Sequence, residues 1–366
     1  MNVPTGRAGP LSGGLPQDRL VSLDAYRGFT MLAMASAGFG ATHLGVDPRW
    51  TWLVNQLEHR DWVGCSAWDL IQPGFMFIVG AAMPFAFALR RQRGESWGRQ
   101  FGHVFKRALV LIALGIFLDS YNQARIIVQF IRVLQQIAIG YVLAFLVLSF
   151  RPWVQALAAG ILLLAHTTAY ALYGNGCWPY TPGYNVGTAV DVALHLPLSP
   201  GHYVTLNAIS STATILFGVL TGELLRSRLA PDRKVLVLAL AGAGGLLLGV
   251  ALSPAVPLVK RIWTSSFALY AGGWTCLMLL GFYAVIDVLK FRRWAFPLVV
   301  VGMNSIAMYM VSQLCKPLIR GGLRPFVSEP LSQAPLAAPV VMAMLVVVVE
   351  WGFIYWLYRR RIFFKV

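Results

Sequence analysis

Residues 55–80 read NQLEHRDWVGCSAWDLIQPGFMFIVG. The stretch opens polar, with Glu58, His59, Arg60 and Asp61 adjacent. It then passes through Trp62-Val63-Gly64 and Trp68-Asp69-Leu70 into an apolar helix broken by Pro73. A titratable cluster at the mouth of a membrane span is unfavourable unless its charges are paired or used, which makes it a candidate functional site. The rest of the chain reads as the scaffold that holds this stretch at one face of a bilayer.

Composition supports that setting. Of the residues, 57% are hydrophobic and 12% charged, and the mean hydropathy is +0.65. Soluble domains carry about 25% charged residues, so a polytopic membrane protein is expected. The net charge of +16 is no nucleic-acid signal, because the basic residues form short runs between apolar segments. Cys65, Cys177, Cys276 and Cys315 show no CxxC or Cys/His ligand spacing, so no metal site is expected. Residues 1–20 are rich in Gly and Pro without an apolar core. They suggest no cleavable signal peptide, a disordered tail over 1–18, and one transmembrane domain over 19–366.

Ten apolar segments approach the length of about 20 residues that a bilayer requires: 23–43, 66–89, 104–120, 127–150, 153–173, 204–225, 234–252, 264–287, 295–316 and 337–358. The third is the weakest, being short and bounded by Arg107 and Asp119. With a cytoplasmic N-terminus, 21 of the 30 Lys and Arg residues fall inside, so the expectation is an all-α protein with about ten spans and both termini cytoplasmic. His59, the 174–203 loop, Lys260-Arg261 and Arg320 then lie outside. That loop has no Lys or Arg but does have Gly, Pro, Tyr and Trp, along with His195 and His202, which suits an ordered external cap. Cys65 and Cys177 also fall outside, so a disulfide between them stays open. Gly218-x-x-x-Gly222 and the glycines at 242, 244 and 245 suit helix packing. No phosphate loop and no internal repeat is present, and the latter argues against an inverted-repeat transporter.

Several side chains could carry chemistry. His59 can act as a general base or accept an acyl group; alternatively it is an interfacial histidine bonded to Glu58 or a backbone carbonyl. Asp69 either orients that imidazole or caps the second span. Lys260-Arg261-Ile262-Trp263-Thr264-Ser265 offers cationic and hydrogen-bonding groups beside an aromatic face. Asn304 either donates to a developing oxyanion or binds helices together. Trp62, Lys260, Trp263 and Asn304 are thus candidates for binding an acceptor or oxyanion. Asp119, Arg125 and Arg132 can pair among themselves. On the inner half, Asp24 and Arg27 suit a buried ion pair. Arg90, Arg91, Arg93, Lys106 and Arg107 either set topology and touch lipid or capture a polyanionic donor such as a coenzyme A.

Several motifs in order resemble the transmembrane domain of heparan-α-glucosaminide N-acetyltransferase and its bacterial relatives. Arg19-Leu20-Val21-Ser22-Leu23-Asp24-Ala25-Tyr26-Arg27-Gly28 is similar to its opening. His59-x-x-Trp62-x-Gly64 follows, then Trp68-Asp69-Leu70 and Phe75-Met76-Phe77-Ile78-Val79-Gly80. Arg132-Val133-Leu134-Gln135-Gln136-Ile137-Ala138, Lys260-x-x-Trp263-Thr264-Ser265-Ser266, Tyr283-x-x-Ile286-Asp287 and Gly302-Met303-Asn304-Ser305-Ile306 complete the series. The resemblance covers about residues 19–358 and implies transfer of an acetyl group from cytoplasmic acetyl-CoA to a glucosamine amine across the membrane. It puts the essential extracytoplasmic histidine on His59; the candidate donor contacts, read from the basic residues of the inner half, are Arg27, Arg90 and Arg107. Late in the first span, where an Asn is frequent in the family, this chain reads Ala35-Ser36-Ala37-Gly38-Phe39-Gly40.

The expectation is therefore a bacterial-type acyltransferase without the luminal domain, in the cytoplasmic (inner) membrane. Its partners would be membrane lipid and an amino-sugar or glycan acceptor, with a homodimer allowed and no nucleic acid. The runner-up is a transporter or flippase for a sugar or lipid-linked saccharide; a third option is a non-catalytic membrane subunit that docks through its outer loops.

Overall fold

In a bilayer, backbone N–H and C=O groups find no water, so long apolar runs fold as helices that satisfy themselves internally. A computed structural model describes residues 20–364, except 175, 329, 331, 333 and 335. The tail expected to be disordered lies outside the described residues. The helices are α1 (Val21–Ser36), α2 (Thr51–Leu57), α3 (Ile71–Gln92), α4 (Trp97–Gln123), α5 (Val133–Val147), α6 (Pro152–Leu172) and α7 (Val186–Ala193). They continue with α8 (Asn207–Arg226), α9 (Pro231–Leu252), α10 (Ser265–Phe282), α11 (Phe296–Met303), α12 (Ser305–Leu314), α13 (Lys316–Ser328) and α14 (Ala337–Arg359). No strand occurs among the described residues. The protein is an all-α polytopic membrane protein.

Among the described residues eight segments are long and apolar enough to cross a membrane, and the pair α11–α12, bent by 72°, makes a ninth if it counts as one span. The details differ from the sequence expectation in three places. The third segment, expected to be weakest, forms the 27-residue α4, about 40 Å long. Its polar ends are accommodated: Arg107 donates to the Tyr141 hydroxyl and Asp119 pairs with Arg132. The fourth segment yields only the 15-residue α5, because Arg132 is extended and the helix starts after it. Pro73 does not break the second segment. It lies in the first turn of α3, where a missing N–H forfeits no helical bond, and Pro84 is the proline inside that helix.

α3 and α8 form the centre, with 72% of an 18-residue apolar stretch buried in each of the two segments. They cross closely because a methyl at Gly80 would overlap the Ile215 carbonyl and one at Gly218 the Phe77 carbonyl. Small residues thus let two backbones meet where lipid provides no hydrophobic drive for association. Of the three glycines at 242, 244 and 245, the first and last face α10 in this way, while Gly244 faces open space. α1 ends at Ser36, and Ala37, Gly38, Phe39 and Gly40 all take left-handed conformations that turn the chain away. α2 and the loop that follows it are delivered by this turn to the start of α3.

Candidate active site

After α2, Glu58 is extended and residues 59–67 run as an irregular loop. Gly64, at φ +115°, makes a turn that a side chain would strain, and its N–H donates 2.8 Å to the Leu258 carbonyl. The loop is therefore tied to the connection that precedes α10 and carries Lys260. Asp69 gathers both segments. Its Oδ2 accepts from the backbone N–H of Arg60 at 3.2 Å and of Ser66 at 3.1 Å, with Ser66 Oγ at 3.0 Å. Its Oδ1 lies 2.8 Å from His59 Nδ1 and 3.3 Å from Lys260 Nζ. Asp69 bonds backward to the loop and does not cap α3, whose N-cap residue is Leu70. The His59 partner is Asp69, and not Glu58.

Hydrogen-bond chemistry selects the histidine's tautomer. A carboxylate only accepts, so Nδ1 bears a proton toward Asp69, and in the neutral ring the lone pair is then on Nε2. Lys260 Nζ is also 3.0 Å from Nδ1. An ammonium there can donate only to the shared carboxylate oxygen, whereas a neutral amine can accept the Nδ1 proton. Burial pushes Lys260 down to about 8, against the pull of the Asp69 charge. The His59 side chain is 44% exposed while Asp69 and Lys260 are 1% and 7% exposed, so an accessible imidazole is held from behind by two buried groups. The neighbouring Cys65 is no rival nucleophile, since burial and then Asp69 push its thiol up to about 12.

His59 and Lys260 line a cavity of about 430 Å³. Its far wall holds the Asp119–Arg132 pair, Gln72 and Gln123, and residues 197–200 with Tyr203 roof it. The expected cap thus exists: it contains α7, stacks Tyr180 on Tyr170, and is pinned by Arg261 Nη1 donating 3.1 Å to the Gly201 carbonyl. Asp119 pairs with Arg132, as two of the three charges there suggested, while Arg125 donates to Gln123. Cys65 and Cys177 form no disulfide.

A second cavity, about 370 Å³, is lined by Arg27, Arg107, Phe75, Val79, Leu111, Ile137, Tyr141, Ser305 and Phe364, among others. Both cavities draw their walls from the same four helices. α3 gives Gln72 to the first and Phe75 to the second. α4 gives Asp119 and then Leu111, α5 Val133 and then Leu134, and α12 Tyr309 and then Ile306. The two therefore lie end to end. Where they meet, Gln72 Nε2 donates 2.7 Å to Oε1 of the fully buried Gln136.

The other sequence candidates fall elsewhere. Trp62 donates 2.8 Å to the Tyr180 carbonyl and serves the cap. Trp263 is 1% exposed and donates to Thr214 on α8. Neither lines the His59 cavity. Asn304 sits at the bend between α11 and α12, donating to the Ile362 carbonyl and accepting from the Phe364 N–H; its neighbours Met303 and Ser305 line the second cavity. Arg27, 3.7 Å from Asp24, and Arg107, stacked 4.6 Å over the Tyr141 ring, line that cavity, whereas Arg90 is paired with Glu95 outside it. Gln72 and Gln136 escaped sequence reading as site residues. The sole available signal was two adjacent glutamines, 135 and 136, in an apolar segment.

The family model described as heparan-alpha-glucosaminide N-acetyltransferase, catalytic, matches residues 19–236 of the chain. Human heparan-alpha-glucosaminide N-acetyltransferase (Homo sapiens) is 25% identical over 419 residues, covering 95% of this chain and 60% of the human protein. The mouse (Mus musculus) protein of the same name is 27% identical over 123 residues, which is 32% of this chain and 17% of its own. The chain thus spans about 60% of the length of the human relative.

Proposed function

The chain belongs to the heparan-alpha-glucosaminide N-acetyltransferase catalytic family, and from that premise we propose that it transfers an acetyl group from acetyl-CoA, bound at one end of the helix bundle, to an amine presented at the other. The observation that carries this reading is the end-to-end placement of two cavities along α3, α4, α5 and α12. One carries Arg27 and Arg107 on otherwise mostly apolar walls; the other holds His59.

The coenzyme's phosphates meet Arg27 and Arg107, since guanidinium groups match phosphate geometry. The pantetheine arm runs between Phe75, Val79, Leu111 and Ile137. Those α3 contacts, from Phe75 to Ala86, span about 16 Å of helix axis, which suits a long thin arm. The thioester then reaches the Gln72–Gln136 pair. The acceptor amine lies in the outer cavity against His59 Nε2. As the amine nitrogen bonds to the thioester carbon, Nε2 takes the amine proton, the C–S bond breaks, and the thiolate leaves to be protonated as the free thiol. Asp69 fixes the tautomer and stabilises the imidazolium. The same lone pair serves an acyl-imidazole route. Asp119, Arg132, Gln72 and Gln123 offer paired donors and acceptors for hydroxyls, so an amino sugar or glycan is the acceptor class.

The basic end is the cytoplasmic one, with both termini there, and α5 and the bent pair each complete a crossing, giving ten. The test is to incubate the purified protein with radiolabelled acetyl-CoA and glucosamine, wild type beside His59→Ala. Label on the sugar with wild type alone supports the reading. Equal label with both proteins removes His59 from the mechanism, and none with either removes the reaction.

A further inference from the structure

A third cavity, of about 160 Å³, opens between the broken end of α1, the start of α14 and α13. Its polar side carries Lys316, Arg320 and His43, and its apolar side Met342, Val346 and Val347 of α14. Among the described residues no acid lines it. Lys316 Nζ donates to the Ala35 carbonyl, one of those left open where α1 ends. An ammonium has three N–H donors, so two remain. The acid facing Lys316 is Glu350, which is fully buried beyond the cavity with neither carboxylate oxygen hydrogen-bonded.

α13 is not among the segments able to cross a membrane. It buries Ile319, Leu323 and Val327 against Met342 and Val346. Lys316, Arg320 and Arg324 recur at the same four-residue interval, giving a basic stripe beside the buried one. Leu318 and Phe326 are 79% and 76% exposed. A helix with one buried stripe, one basic stripe and exposed large apolar groups suits a position in the plane of the membrane interface.

We propose that this cavity binds the phosphate head of an anionic phospholipid, with α13 lying along the interface and the acyl chains running down α14. Lys316, Arg320 and His43 hold the phosphate, and Met342, Val346 and Val347 take the first methylenes. A zwitterionic head would bring its own ammonium into a cavity without an acid to receive it, so the site selects net negative heads.

The experiment reconstitutes the full chain into vesicles of equimolar phosphatidylglycerol and phosphatidylcholine, extracts it gently, and counts retained lipids by native mass spectrometry. Wild type is expected to retain phosphatidylglycerol about fivefold or more over phosphatidylcholine, the scale of one basic residue at a membrane surface. Arg320→Glu should bring retention to parity. Arg324→Glu makes the same charge change on the same helix outside the cavity and should leave the preference intact. Lys316 is kept, because its loss would strip the Ala35 carbonyl and Glu350 of their partner. Parity in wild type, whether as monomer or as a dimer covering α13, would overturn the proposal. So would unchanged retention in Arg320→Glu, equal loss in Arg324→Glu, or displacement of the lipid by inorganic phosphate. A matched thermal midpoint for the two variants ties the loss to the cavity and not to unfolding.

Discussion

The two cavities that share α3, α4, α5 and α12, the outer one at His59 and the inner one at Arg107 in the proposed orientation, are built on different electrostatic plans. In the outer one, charges are matched and pinned by loops: Asp69 takes donors from His59, Arg60, Ser66 and Lys260, and Asp119 takes Arg132. In the inner one, the walls are mostly apolar and the lining cations are Arg27, 3.7 Å from Asp24, and Arg107, laid on Tyr141. A preorganised polar site stabilises charge as it develops, whereas a greasy channel with cations on its wall holds a ligand without reacting with it. Changes in the outer cavity should therefore appear in kcat, and changes in the inner cavity in donor KM.

The sharpest test of that division is His59→Ala, expected to lower kcat about a thousandfold while donor KM stays within about twofold. A matching rise in donor KM would dissolve the distinction. Asp69→Asn comes next. It removes the acceptor that fixes the imidazole tautomer and leaves Lys260 without its counter-charge, so kcat should fall about a hundredfold. Thermal unfolding should show a loss of about 3 kcal/mol, the scale of breaking a buried pair. At the boundary, Gln136→Leu keeps the volume near Gln72 but removes the amide; steady-state kinetics should show kcat down about thirtyfold with donor KM unchanged. An effect on KM instead would assign the glutamines to the inner cavity.

Much of the outer cavity was legible because its two central groups lie ten residues apart in one motif. The helices were legible for a more general reason, since apolar runs of about 20 residues have one fold in lipid. Side-chain direction was not. Trp263 stands three residues from Lys260, yet its indole turns into the core toward Thr214. Trp62 stands three from His59 and turns to the cap. Asn304 reads in sequence as an oxyanion donor or a helix-binding amide, but the 72° bend gives its amide to the chain at Ile362 and Phe364. Arg90 and Arg107 belong to one basic run in sequence, and only the 27 residues of α4 carry the second away from Glu95 and into the cavity. Local sequence reports which residues are near an end of the bundle; it takes tertiary packing to decide which of them face the same space.

On the inner side, Arg107→Gln should raise donor KM about tenfold with kcat within twofold, the loss of one charge-assisted phosphate contact. Titration of wild type and variant with CoA by calorimetry gives the same ratio without turnover. The last effect concerns Lys260 and is thermodynamic. Burial holds its folded pKa at about 8, below the ordinary value of 10.5. Between those values the unfolded chain binds more protons than the folded one, so stability rises with pH across that window. Below about 8 both states are protonated and the burden of the buried ammonium is constant; above about 10.5 neither state is charged. From about pH 8 to about pH 10 the gain should be about 2 kcal/mol. Lys260→Met removes the group from both states, so the wild-type unfolding midpoint should rise relative to that of the variant over that window. A constant difference would mean that Lys260 stays fully charged beside Asp69. The outer cavity would then hold an intact ion pair, without a neutral amine that can accept the His59 proton.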